Sequence, residues 1–188
     1  GEGFSEDVLW SEDFEDGLTG WKPSSEVVFT GGIHEAWRPV DSAPAGTGAA
    51  HPSKVAFGPA PDEGRCVGNT APQGDFSSRD SITGPVVQMP DSLRSAKLTF
   101  EHYVATEVGY DGGNVKMSVN GGAFTAIPAA AYLFNEPTTL TGPATNTNPL
   151  AGQPGFTGTD GGQTKGSWGE SQVDLAAAAA EPGDPVQL

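Results

Sequence analysis

The sequence predicts an all-β protein, an antiparallel β-sandwich, and three observations carry that expectation. Glycine (27) and proline (16) supply nearly a quarter of the 188 residues, a content that suits a turn-rich chain better than a helical one. Aromatic and β-branched residues come in short blocks divided by turn residues, which is how all-β domains are written. Only SQVDLAAAAAEP, at 171–182, has helical composition, and its alanine run reads equally as a linker over a sheet edge. The length suits a single domain over 1–188 with a real core.

The strands follow in order. DVLWS (7–11), EVVFT (26–30) and KVAFG (54–58) are short apolar runs, and ITGPVVQ (82–88) follows them. AKLTFEHYVAT (96–106) alternates most cleanly, with Leu98, Phe100, His102 and Val104 on one face and Lys97, Thr99, Glu101 and Tyr103 on the other. GNVKMSV (113–119) and AFTAI (123–127) flank Asn120-Gly121, the strongest short-range hairpin signal, because both residues tolerate positive φ. Further strands are expected over about 166–175 and from 185. Between them, 135–166 is rich in Pro, Gly, Thr and Asn and reads as one long loop anchored by Leu140, Leu150 and Phe156. Local patterning does not distinguish a jelly roll from an immunoglobulin-like strand order.

Twenty-four acids against nine bases give a formal net charge of −15. Such a surface repels phosphate backbones and anionic lipid, so neither nucleic acid nor a membrane is an expected partner. It suits a soluble secreted protein, a salty environment, or divalent cations that neutralise part of the charge. No run approaches the length of a membrane span. GEGFSED, at the start, lacks a basic-then-apolar pattern, and any signal peptide is expected to have been removed. The one cysteine, Cys66, allows no internal disulfide; it is a free thiol or pairs outside this segment.

No catalytic residue is assigned. HEAWR (34–38) opens like a zinc-peptidase helix, but Arg38 stands where the second histidine would be. His51 and His102 are distant in sequence, one in a loop and one in a strand. There is no G-x-S-x-G elbow and no glycine-rich phosphate loop. His102, alternating with core residues, reads as a half-buried, hydrogen-bonded side chain.

A cation site is the more concrete expectation. SEDFEDGLTGW (11–21) crowds Glu12, Asp13, Glu15 and Asp16 before two glycines, flanked by Trp10 and Trp21. Asp13 and Glu15 share one face of an extended chain, Asp16 sits at the turn, and freed carbonyls complete an oxygen-rich set suited to Ca²⁺. The segment does not match the EF-hand loop, and a solvated acidic turn is the alternative. Asp41 and Asp111 are more distant candidate ligands, Asp111 having a simpler role in setting the DGG turn. A glycan-binding module is the second reading. Its platforms would be Trp37, Tyr110 and Trp168, with Tyr132, in or near loops, whereas Trp10 and Trp21 are expected to pack strands.

Several pieces resemble one known family. SEDFEDGLTGW is similar to the opening of the MAM-like jelly-roll domains of secreted bacterial proteins, typically appended to extracellular peptidases. SITGPVVQMP (81–90) and AKLTFEHYVATE (96–107) resemble its strand–proline–strand succession. YDGGNVKMSVNGGAFTAI (110–127) matches its D-G-G, strand, hairpin pattern, and FTGTDGGQTKGSWGESQVDLAA (156–177) its F-x-G … W … V-D-L segment. The resemblance covers most of the chain, leaving 38–80 and 135–155 poorly anchored. It implies a jelly roll that is secreted and non-catalytic, often with structural calcium, and that stabilises or targets an attached hydrolase such as a metallopeptidase. Glu15 and its neighbours would face the ion. Family members continue past PGD-x-V-x-L with further strands, one of which pairs with the first, whereas this sequence stops at Leu188. By that analogy the last strands are absent from the segment or come from another chain, leaving an exposed edge. Partners are then the catalytic domain, the missing strands, and an extracellular polysaccharide or protein.

Overall fold

The computed structural model describes residues 5–27, 36–41, 51, 53–58, 77–158 and 167–188. Cys66 and His34 lie outside them. In chain order the strands are β1 (Lys22–Val27), β2 (Arg38–Val40), β3 (Val55–Phe57), β4 (Ser78–Thr83), β5 (Val86–Gln88), β6 (Lys97–Val104) and β7 (Lys116–Val119). They continue with β8 (Thr125–Ala126), β9 (Tyr132–Phe134), β10 (Thr138–Thr139), β11 (Pro154–Gly155), β12 (Ser167–Asp174) and β13 (Pro185–Gln187). All pairings are antiparallel. The two larger sheets run β6-β12-β9 and β5-β13-β7-β8, beside the pairs β1-β4, β2-β3 and β10-β11. None closes into a barrel, and the all-β expectation holds in the form of a β-sandwich.

The alternation read from 96–106 explains how the larger sheets meet. Leu98 and Phe100 of β6 and Val173 of β12 turn toward Met117 of β7 and Val186 of β13, forming one core with Met89, Ile127 and Ala131. Val173 is fully buried, and Met117 and Ile127 nearly so. Burying each such side chain contributes about 1.5–3 kcal/mol. β13 lies inside its sheet, between β5 and β7.

The Asn120-Gly121 hairpin forms with both residues at positive φ, 54° and 68°. Gly122 N–H closes the turn on Val119 O at 3.0 Å. The ladder then pairs Met117 with Thr125, one residue beyond what that turn alone would give, so an extra residue is taken up after Gly122. SQVDLAAAAAEP divides its roles. Its first four residues finish β12, and the alanines make a single helical turn. Asp174 Oδ1 accepts the Ala176 N–H at 3.0 Å as the cap of that turn. Ala180 N–H bonds Leu175 O and Ala179 N–H bonds Ala176 O, the two bonds of a Schellman ending, with Ala179 at φ 70° where glycine is usual.

Three expectations change. Residues 7–11 form no strand: Val8 and Leu9 are exposed, and nothing among the described residues supplies a ladder partner. The 82–88 strand is two, because Gly84-Pro85 breaks it and passes Gly84 N–H to Leu188 O. The supposed loop from 135 contains β10 and β11, which pair across a turn held by amides. There Asn146 Nδ2 bonds Tyr110 O and Thr141 O, while Asn146 Oδ1 caps Asn148 N–H.

Candidate functional site

The opening acids mainly serve their own loop. Glu12 accepts Phe14 N–H at 2.7 Å with one oxygen and Trp21 Nε1–H at 2.9 Å with the other. That carboxylate holds Phe14 at φ 57°, an uncommon conformation for an aromatic residue, with its ring against Trp21 (centroids 5.6 Å). Trp10 also packs against Trp21, with ring centroids 5.8 Å apart. Trp21 in turn seats on Gly84, where a Cβ would come within 3.1 Å of its ring.

The predicted cation ligands divide. Asp13 Oδ1 accepts Glu15 N–H, and Asp16 is exposed, its carbonyl taking the Thr19 hydroxyl. Glu15 meets Lys54 twice: Oε1 accepts the backbone N–H at 2.9 Å and the Glu15 carbonyl accepts Nζ–H at 3.1 Å. Asp41 approaches the same ammonium at 3.9 Å. A positive charge therefore does sit between Glu15 and Asp41, and it belongs to Lys54. Asp111 lies elsewhere, accepting Asn148 Nδ2–H while its carbonyl takes the Thr106 and Thr157 hydroxyls. Among the described residues, no three His, Cys, Asp or Glu side chains gather in a way that would hold a metal ion.

The aromatic candidates also separate. Trp37 lies over Gly58, where a Cβ would come within 2.8 Å of the indole, and its Nε1–H donates to Asp80 O, tying the β2-β3 pair to β4. Tyr110 is 42% exposed on the turn beginning at Glu107. Trp168 stands on β12 rather than in a loop, paired with Tyr103 of β6 and covered by the His51 ring at 4.5 Å.

Two histidines are placed with chemistry around them. His51 Nε2 lies 3.0 Å from Glu101 Oε2, and its Nδ1 lies 3.0 Å from Ser53 Oγ. This is the order of a carboxylate–imidazole–hydroxyl relay, with Nε2–H donating to the carboxylate and Nδ1 accepting. The Ser53 backbone N–H, which a serine nucleophile would offer to an oxyanion, is itself turned onto Nδ1 at 3.3 Å. The Ser53 backbone and side chain thus both turn back onto the imidazole.

His102 occupies the inner face of β6. Its ring stacks on Phe156 at 4.3 Å, and burial lowers its pKa below the ordinary 6.5, so the imidazole is neutral. Nε2 lies 2.9 Å from the hydroxyl of the fully buried Ser171, which donates to Asn135 O at 3.0 Å. Nε2 also lies 3.2 Å from Asn135 Nδ2, while the buried Nδ1 has no hydrogen-bond partner among the described residues. Asn135, at φ 53°, ties the end of β9 back by donating Nδ2–H to Glu170 O.

Above His102 the sheet opens. Its cross-strand partner is Gly169, and the missing side chain leaves a cleft of about 420 Å³. His102, Val104 and Phe156 form the floor, with Gly155, Thr157, Gly169 and Glu170 beside them. Phe134, Asn135, Glu136, Pro137 and Thr138 form a wall. Phe134 keeps 59% of its surface exposed beside that wall. The volume is within the range of small-molecule sites. Phe156 is fixed from beneath: its carbonyl lies 2.3 Å from where a Cβ on Gly112 would stand, and its backbone exchanges two hydrogen bonds with Gly113. That is the structural use of the DGG motif. Sequence reading missed the cleft because its wall lies in the segment read as loop; the signal present was the Phe134-Asn135-Glu136 run, an aromatic beside an amide and an acid.

Comparison with known proteins returns no match among family models, curated proteins or solved structures. The likeness to MAM-like domains rests on the quoted motifs alone.

Proposed function

We propose that this chain is a non-catalytic binding domain that holds a saccharide for an attached secreted hydrolase. The observation that carries the reading is the cleft over His102: an exposed aromatic face, the Asn135 amide, the Glu136 carboxylate, and a floor with a neutral imidazole. Aromatic faces stack on the apolar side of a sugar ring, and carboxylates and amides take its hydroxyls. Ser171 is fully buried and its hydroxyl lies against His102 Nε2, which supports reading this pair as part of the floor. Calorimetric titration with a panel of soluble oligosaccharides tests the reading. Saturable binding that Phe134→Ala removes, and that Trp37→Ala, Tyr110→Ala and Trp168→Ala retain, supports the cleft. Binding that depends on the latter three moves the site to the aromatics expected from sequence.

The jelly-roll order, secretion and attachment to a peptidase belong to the same proposal and rest on the motif likeness. Calcium would enter as a stabiliser of the opening loop, and an ion using Glu15 and Asp41 would have to displace the Lys54 ammonium. Thermal unfolding in excess calcium and in chelator measures it: a native-state site at a hundred times its Kd adds about 2.7 kcal/mol.

A further inference from the structure

The Asn120-Gly121 turn carries a reaction as well as a hairpin. Asn120 alone among the six asparagines is followed by glycine, and both residues are exposed. With no Cβ beside it, the Gly121 nitrogen can approach the neighbouring side-chain amide closely. In that attack the nitrogen loses its proton and bonds to Asn120 Cγ, while Nδ2 leaves with the proton as ammonia. Water then opens the resulting succinimide at either carbonyl, giving an aspartyl or an isoaspartyl residue. The net change is one water gained and one ammonia lost, and no other reactant is needed.

The fold governs both the timing of this reaction and its consequence. Asn120 and Gly121 have φ of 54° and 68°, a turn of the I′ kind, which points Gly121 N away from the Asn120 side chain. Gly122 N–H closes the turn on Val119 O, and Asn120 N–H donates to Pro185 O at 2.9 Å. The reaction therefore waits on local opening. Nδ2, the atom that departs, donates to Asp184 Oδ1 at 2.7 Å. Asp184 Oδ2 accepts Glu181 N–H at 2.9 Å. The Glu181 N–H and the Asn120 amide hold the Asp184 carboxyl below the usual carboxylate range, so it is ionised at neutral pH. A carboxylate at position 120 faces that charge across the same gap, and a donor–acceptor pair becomes a pair of like charges. The contact joins the β7-β8 hairpin to the turn that enters β13, the strand between β5 and β7.

We propose that Asn120 is a self-modification site, where spontaneous deamidation, gated by opening of the turn, unlatches the β7-β8 hairpin from the turn entering β13. The intact chain, folded or in urea, is incubated at mildly alkaline pH and followed by peptide mass mapping. Asn120 is expected to convert ahead of Asn114, Asn146 and Asn148 in both states, and about tenfold or more slowly when folded. Equal rates in the two states overturn the gate; no conversion of Asn120 in the folded chain overturns the site. Thermal unfolding reads the consequence. Asn120→Asp is expected to lower Tm by about 2–4 °C. Adding Asp184→Asn recovers most of that loss, because the pair again holds one amide and one carboxylate. An unchanged Tm in Asn120→Asp, or a loss that the second substitution does not recover, overturns the unlatching.

Discussion

His51 and His102 mark two regions built from the same residue types on opposite faces of β6. On the inner face, His102 meets a buried hydroxyl, stacks on Phe156, and is neutral through burial. On the outer face, His51 meets Glu101, whose side chain is 63% exposed, and packs on Trp168. One region is fixed by close approach and desolvation, where each missing partner is costly. The other is held through Glu101, an exposed carboxylate whose contact solvent replaces cheaply. Burial decides which histidine is part of a scaffold, even though both belong to chains of hydrogen bonds that look alike on paper.

The sharpest way to break the inner region is through the adjacent glycines beneath Phe156. Gly112→Ala places a Cβ against the Phe156 carbonyl and is expected to cost about 3 kcal/mol, read from denaturant or thermal unfolding. Gly113→Ala meets nothing within 4 Å and is expected to stay within about 0.5 kcal/mol of wild type. Similar losses from both would show that the two glycines are needed for their backbone conformation rather than for the contact at Gly112. Ser171→Ala comes next. It removes the fully buried hydroxyl shared by His102 and Asn135, and about 1–3 kcal/mol should follow. A neutral result would mean that the direct contact of Asn135 Nδ2 with His102 Nε2, at 3.2 Å, suffices without the hydroxyl.

Titration sharpens the contrast. With the folded pKa of His102 below 6.5, the unfolded chain binds more protons between the two values. The contribution of His102 to stability is therefore complete above about 6.5 and declines as pH falls toward the folded pKa. His102→Gln should flatten that part of the stability profile; an unchanged slope would contradict a neutral, buried imidazole. The smallest effect belongs to the outer face. Glu101→Gln should change stability by no more than about 1 kcal/mol, as for an exposed pair. A larger loss would promote the His51 cluster from surface contact to structural element.

How much was legible follows the same division. β6, β12, β13 and the Asn120-Gly121 hairpin carry local signals, alternation or a turn dipeptide, and the structure has them. The segment at 7–11 has the apolar run but no ladder among the described residues, and a short run without a pairing partner forms no strand. The cleft was illegible because its makers act at a distance. Gly169 matters only opposite His102, and Gly112 only beneath Phe156, separations no local pattern encodes. The opening acids were legible as a cluster that wants positive charge and hydrogen-bond donors. The sequence did not tell that Lys54, Phe14 and Trp21 would provide them.

The central claim is that the space over His102 is where this domain meets its ligand. An NMR titration of the isotope-labelled chain with soluble oligosaccharides tests it most directly, through the backbone amides of Asn135, Gly155, Thr157 and Gly169 around the cleft. The account predicts saturable shifts confined to those amides and their neighbours, with His102 ring resonances moving in step. Shifts absent there, or clustered instead about Trp37 and Tyr110, would contradict it.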